Sequence, residues 1–241
     1  MVLTEDNTVD TATYTRRRGQ IEQYFDRTAV QAWAQLTSDA PVGRIRTTVR
    51  AGRDKMRATL LSWLPDDLRG HRVLDAGCGT GALAIHAALR GADVVAIDLS
   101  PKLVELARQR MPQSLKYGSL DFRSGDMLDP KLGHFDHVVA MDSVIHYETK
   151  DAVAVLSRLA ERCSSSITFT FAPRTPMLAT MIAVGRLLPR KNRAPWLEPM
   201  ARENLLHLMH EDAILAIWQH SRDERVSSGF YKSQAMQWRR L

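Results

Sequence analysis

Residues 71–84 read HRVLDAGCGTGALA, and the parsing of this stretch decides the fold. Its first half is a short apolar run carrying Asp75, and glycines then stand at 77, 79 and 81. GALAIHAALRG (81–91) has a helical pattern that stops at Gly91, and DVVAIDLS (93–100) is again a short apolar run. Strand, glycine turn, helix and strand make a β-α-β unit.

The alternation continues downstream. SPKLVELARQRM offers Ser100 as a helix cap with Pro101 at the first helical position. LDFRSGD, FDHVVAMD and SSITFTFAP read as strands, with the helix KDAVAVLSRLAERC before the last of them. The pattern predicts an α/β fold, a parallel sheet with helices on both faces. Upstream, residues 1–15 are polar and Thr-rich and read as a loose end, whereas QIEQYFDRTAVQAWAQL and IRTTVRAGRDKMRATLLSWL predict two or three helices. Past Pro173 the alternation breaks. Four prolines and four arginines surround an apolar helix-length stretch, which predicts an insertion at about 174–200 capping the functional edge of the sheet. ARENLLHLMHEDAILAIWQH reads as a helix and ERVSSGFYKSQAMQWRR as two β segments. This divides the chain into an N-terminal helical extension or lid, 1–65, and a ligand-binding domain, 66–241.

Composition bounds the partners. With 44% hydrophobic and 25% charged residues the chain is an ordinary globular protein. A net charge of +6 suits a nucleic acid, an anionic membrane surface or an acidic small substrate, and equally a merely solvated basic surface. Cys78 and Cys163 show neither metal-ligand nor disulfide spacing. The N-terminus lacks the order of a signal peptide, and the longest apolar run, MLATMIAVG (177–185), falls short of the roughly 20 residues that span a bilayer. The expectation is a cytoplasmic protein.

Glycines between a first strand and a first helix let backbone N–H groups approach a ligand, but they also fit a relaxed dinucleotide fingerprint. Asp75 argues against a pyrophosphate and for a cationic ligand over the turn. Asp98, followed by Leu99, closes the second strand, where an acidic side chain accepts from a ribose diol. Asp126, beside Met127, suits the amine of an adenine. Each aspartate alone fits a capping residue as well.

Asp75 with its glycine turn, Asp98, Gly125-Asp126 and AMDSVIHY (140–147) together resemble the class I S-adenosylmethionine (SAM)-dependent methyltransferases. Met141 belongs to the last of these stretches. The Asp-Pro-Pro-aromatic type of motif found in enzymes that methylate base amines is replaced here by Asp142-Ser143-Val144-Ile145-His146-Tyr147, and the arginines do not interleave with aromatics, so a nucleic-acid acceptor is disfavoured.

QYFDRTAVQAW, RIRTTVRAGRDKMR, MDSVIHY, FTFAPRTPMLATMIAVGRLLPR and GFYKS carry the likeness further, from about residue 20 to the C-terminus. Together they resemble the magnesium-protoporphyrin IX O-methyltransferases of bacteriochlorophyll and chlorophyll biosynthesis. That resemblance implies methyl transfer from SAM to one propionate of magnesium-protoporphyrin IX, with no catalytic metal of the protein's own, since the magnesium belongs to the substrate. It implies His146 and Tyr24 as the active-site pair, His146 orienting the carboxylate or accepting its residual proton and Tyr24 covering the SAM. It also implies association with the large subunit of magnesium chelatase, and leaves open peripheral contact with a photosynthetic membrane. A flat macrocycle with two carboxylates calls for an apolar wall and arginines, for which Arg174, Arg186, Arg190 and Arg193 are the candidates, though each also suits a solvated surface position. Competing readings are a methyltransferase of another small acceptor such as a quinone precursor, a non-catalytic SAM- or tetrapyrrole-binding module, and, most distantly, a nicotinamide dehydrogenase.

Overall fold

A computed structural model of the 241-residue chain describes residues 12–29, 37, 43–175, 180 and 197–241. Arg72–Ala76 (β1) is the middle strand of the parallel part of the sheet, and its buried run Val73–Ala76 is explained by cover on both faces. β2 (Asp93–Asp98) and β4 (Phe135–Ala140) flank it in parallel, β3 (Ser119–Ser124) adds beyond β2, and β5 (Cys163–Phe171) pairs in parallel with β4. The expected parallel sheet thus covers five strands. Two more extend it through antiparallel pairings: β7 (Tyr231–Arg240) runs antiparallel to β5, and β6 (Trp218–Ser228) antiparallel to β7, giving the order 3-2-1-4-5-7-6. Gly229 and Phe230 leave so short a connection that only an antiparallel hairpin is open to β6 and β7.

Successive strand residues point to opposite sides, so the sheet carries two cores. Val73, Val94, Ala96 and Val139 pack with Met56 and Leu60 of α2 (Arg44–Ser62), with Leu83 and Ala87 of α3 (Ala82–Leu89), and with Val104 and Ala107 of α4 (Pro101–Gln109). Leu74, Val95, Val138 and Phe169 face the other way, onto Val155 and Leu159 of α5 (Thr149–Ala160) and Leu205 of α6 (Arg202–Glu211). α4 starts as expected: Ser100 Oγ accepts from Leu103 N–H at 3.3 Å, with Pro101 in the first turn.

Three expectations need correction. Residues 12–15 are not a loose end, because α1 spans Ala12–Gln23 and buries Tyr14 and Ile21 in the second core. This helix shows little amphipathic pattern of its own, and its place is decided by what Tyr14 meets on the sheet. The long helix expected through His220 ends at Glu211. There the Asp212 carboxylate accepts from the N–H groups of Ile214 and Leu215 at 3.0 and 2.9 Å, turning the chain so that Trp218 opens β6. Within QIEQYFDRTAVQAWAQL, read as regular helix, the backbone changes at Tyr24 to a π-helical turn, Tyr24–Ala29.

Most of the anticipated cap lies outside the described residues, but its two ends are anchored together. Arg174 N–H donates to Met200 O at 2.9 Å and Met200 N–H to Ala172 O at 2.8 Å, so residues 175–199 leave and return at one point just past β5.

Candidate active site

β1, β2 and β4 end at the same edge, and a cavity opens there between the glycine turn, α2 and the turn after β4. The three glycines have positive φ of 88°, 54° and 80°, which turns the chain sharply from β1 into α3 and brings its backbone to the cavity. Gly79 N–H donates to Asp98 Oδ2 at 2.9 Å, and Ser100 N–H donates to Asp98 Oδ1 at 2.9 Å. The Asp98 carboxylate therefore holds the glycine turn to β2, and each oxygen keeps a further acceptor position for a ligand hydroxyl. Burial raises its pKa, opposed by those two N–H bonds.

Asp75 is buried below the turn, with Oδ2 accepting from Ala84 N–H at 3.1 Å in the first turn of α3. Burial pushes its carboxyl from the usual 3.8 up to about 7, an effect reduced by the Ala84 bond and increased by the nearby Asp98 charge. A positively charged ligand over the turn would stabilise the ionised form. Leu99, Met127 and Met141 also line the cavity.

Asp126 does not join them. Tyr14 Oη donates to its Oδ1 at 2.9 Å, Leu128 N–H to the same oxygen at 2.9 Å, and Arg18 Nη1 pairs with Oδ2 at 2.5 Å. The carboxylate anchors α1 to the end of β3 instead of facing the cavity. Tyr14 also stacks on Tyr147, ring centroids 5.2 Å apart, and burial first, then the Tyr147 and Asp126 charges, hold its phenol protonated far above the usual value of 10.

His146 sits buried on a 3₁₀ turn, Val144–His146, and lines the cavity. Two contacts fix that turn from outside: Glu198 N–H donates to Ile145 O at 2.9 Å, and Arg17 of α1 pairs with the Glu198 carboxylate at 2.6 Å. Phe25 meets the His146 ring edge-on, centroids 5.9 Å apart, and it is Phe25 that lines the cavity. Tyr24, expected to cover the ligand, packs edge-to-face against Phe25 at 5.2 Å and is half-buried outside the lining. The π-helical turn rotates the two rings relative to the helix that sequence spacing implied.

The arginine expectations fare differently again. Arg174 is exposed and contributes no lining, while Arg186, Arg190 and Arg193 lie outside the described residues. The lining arginines are Arg50, Arg53 and Arg57 of α2. Arg53 Nη1 pairs at 2.5 Å with Oδ2 of Asp142, a residue whose φ of 54° is the one positive value outside glycine among the described residues. Tyr231 Oη donates to Asp142 Oδ1 at 3.0 Å and Ser233 Oγ to the same oxygen at 3.4 Å, while Asp142 N–H donates to Thr170 Oγ1 at 2.8 Å. This network pins the start of the turn that carries His146, and it was invisible in the sequence because its other members stand 28 to 91 positions from Asp142. Among the described residues no group of three or more His, Cys, Asp or Glu side chains is placed to hold a metal ion.

A family model described as the magnesium-protoporphyrin IX methyltransferase C-terminus matches residues 140–240, and a general methyltransferase-domain model matches 73–165. The chain is 48% identical over 227 residues to a magnesium-protoporphyrin O-methyltransferase of Rhodobacter capsulatus, covering 94% of this chain and 98% of that one. A Synechocystis magnesium-protoporphyrin O-methyltransferase is 33% identical over 70% of this chain and 74% of its own. The crystal structure of magnesium protoporphyrin IX methyltransferase from Synechocystis with bound S-adenosylhomocysteine (SAH) superposes with a TM-score of 0.81 at 28% identity, covering 93% of this chain and all of that one. On the strength of near-complete coverage at this identity, the chain belongs to the magnesium-protoporphyrin O-methyltransferase family.

Proposed function

We propose that this protein transfers the methyl group of SAM to a propionate carboxylate of magnesium-protoporphyrin IX, producing the monomethyl ester and SAH in chlorophyll or bacteriochlorophyll synthesis. The observation that carries this reading is one cavity lined at once by the glycine turn, Asp98, His146 and the arginine face of α2. The first two suit a cationic nucleoside; the last suits an anionic acceptor.

The chemistry asks little of the protein beyond alignment. A propionate has a pKa near that of Glu, about 4.3, and is ionised at neutral pH. One carboxylate oxygen attacks the methyl carbon, the C–S bond breaks with its electron pair passing to sulfur, and no proton has to move. Opposite charges vanish in that step, so exclusion of water and a near-attack geometry supply the rate. Asp98 accepts from the ribose diol, Leu99, Gly125 and Met127 surround the base, and Phe25 with Met141 closes the apolar side. His146 orients the acceptor carboxylate. The magnesium ion arrives and leaves with the substrate.

Asp75 gives this reading a pH signature. In the unliganded protein its carboxyl keeps a proton up to about pH 7. SAM, with its sulfonium and ammonium charges, favours the ionised form, so SAM affinity is expected to rise as pH increases from about 5.5 to 8 and to level off above. Stability without ligand runs the other way: the raised pKa favours the fold most below the usual 3.8, and this contribution fades as pH climbs to about 7. Calorimetric SAM titrations across that range, repeated with Asp75→Asn, check both; a pH slope that survives the substitution removes Asp75 as its source.

The decisive test of the reaction is incubation with SAM and magnesium-protoporphyrin IX followed by mass analysis. A gain of one methylene in the porphyrin, matched by SAH release, is expected; SAM binding without transfer would leave a binding module instead. No helix among the described residues is long and apolar enough to cross a membrane. Residence in the cytoplasm, with contacts to the large chelatase subunit and an anionic membrane surface, belongs to the same proposal; the net charge of +6 suits the last of these.

A further inference from the structure

Between the end of β4 and His146 the backbone passes through a left-handed residue. Asp142 has a φ of 54°, a conformation that residues with a side chain adopt at a cost, and the 3₁₀ turn Val144–His146 starts two positions later. Beyond His146 the chain is fixed by Tyr147, which is buried and stacked on Tyr14. Before it, the placing of the imidazole depends on what holds Asp142.

Tyr231 holds it from outside the cavity lining. Its Oη lies 3.0 Å from Oδ1 and 3.2 Å from Oδ2 of Asp142 and donates its one proton there. Burial, and then the Asp142 charge, keep the phenol protonated well above the usual value of 10, so it remains a donor. The ring is seated against the backbone of α2: a Cβ added at Gly52 would fall 2.6 Å from Cδ1. Thr170 of β5 supports the same residue from the sheet, where its Oγ1 accepts from Asp142 N–H at 2.8 Å and donates to Oδ1 at 3.2 Å. Arg53 pairs with Oδ2 at 2.5 Å, so the charge of this carboxylate, whose side chain is only 7% exposed, stays balanced even without the phenol hydroxyl.

We propose that Tyr231 is a positioning residue for methyl transfer: its hydroxyl holds Asp142 in the left-handed conformation from which the following turn sets His146 against the acceptor carboxylate. This rests on the function proposed above and on the part given there to His146. Arg53 supplies charge, which favours the carboxylate over a range of placements, whereas the Tyr231 and Thr170 hydroxyls supply direction, because hydrogen bonds weaken steeply off their axis. In-line attack tolerates little misplacement, and an error of about 1 Å costs on the order of 100-fold in rate. The loss of one directional bond should therefore appear in the transfer step. SAM, held in that reading by Asp98, Leu99 and Met127, should bind as before.

Tyr231→Phe keeps the ring on Gly52 and removes only the hydroxyl. In single-turnover assays of the full chain, saturated with SAM and magnesium-protoporphyrin IX, its transfer rate is expected to fall about tenfold, while calorimetric SAM affinity changes less than about twofold. The deciding measurement is the same substitution in a His146→Ala background. There it should alter the residual rate less than about twofold, because the side chain it positions is gone, a dependence that loss of stability alone would not produce. Thr170→Val, which removes the second hydroxyl, should show the same dependence on His146, and it carries the comparison by itself should Tyr231→Phe fail to fold. An unchanged rate in Tyr231→Phe, an equal loss in both backgrounds, or a parallel loss of SAM affinity overturns the positioning role. A wild type that binds SAM but transfers no methyl group overturns the functional reading itself, a result distinct from these.

Discussion

Replacing His146 by alanine is expected to lower turnover on the order of 100-fold while SAM affinity changes less than about twofold. The side chain is buried, but the turn that carries it is secured by other groups: Tyr147 stacks on Tyr14, Ile145 O accepts from Glu198 N–H, and Asp142 is tied to Arg53 and Tyr231. Removing the imidazole therefore empties a position without dismantling its support. Because the acceptor is already ionised, the loss is one of orientation more than of proton transfer. Glutamine separates the two roles, since its amide can donate a hydrogen bond but cannot take a proton near neutrality. His146→Gln is expected to recover at least about tenfold of the lost rate. Single-turnover rates alongside calorimetric SAM titration decide the matter; parallel loss of turnover and SAM affinity in His146→Ala would make the residue structural.

Gly81→Ala is expected to destabilise the fold by about 2–5 kcal/mol and to remove SAM binding with it. Two effects add. The residue precedes α3 with φ of 80°, a left-handed conformation that costs a side-chain-bearing residue about 1–2 kcal/mol. Its Cβ would lie 2.5 Å from Cζ and 2.7 Å from Cε1 of Phe122, and 3.0 Å from Cβ of Ala107, an overpacking that costs about 1–3 kcal/mol. Phe122, a residue of β3, is buried in the cluster formed with α3 and α4. For a chain of this size the melting temperature should fall by roughly 5–15 °C. Gly70 supplies the control: its φ is 76°, but a Cβ there meets nothing within 4 Å, so Gly70→Ala should show only the smaller conformational cost. Equal melting shifts in the two variants would remove the Phe122 contact from the account.

The β-α-β unit, the five alternating strands, the Ser100 cap and the position of the glycine turn are legible from residues 71–173 because each is written in neighbouring residues. Periodicity, caps and breakers act over a few positions, and here every local preference agrees with the global arrangement. The strand-end side of the cavity follows almost wholly from that: Asp75, Asp98, Leu99, Met127 and Met141 stand where the strand ends put them.

The side of the cavity formed by α2 and the turn after β4 does not follow, and the reason is distance along the chain. Tyr14 reaches Asp126 across 112 positions and Arg53 reaches Asp142 across 89, so no window of sequence contains both partners. Residues 12–15 look featureless until Asp126 and Tyr147 give Tyr14 something to bury against. Phe25 and Tyr24 are adjacent, and which of them faces the cavity depends on one extra residue in a π-helical turn, a shift that helical spacing cannot register. The arginines that meet the cavity were chosen in the same way. Arg50, Arg53 and Arg57 sit in a stretch that reads simply as a basic helix, and they line the cavity only where α2 packs Gly52 against Tyr231, turning that face toward the ends of β1 and β4. The sequence by itself determined the sheet, the glycine turn and the strand-end residues that line the cavity, because neighbouring residues encode them; contacts between segments far apart in the chain decided which side chains complete that lining.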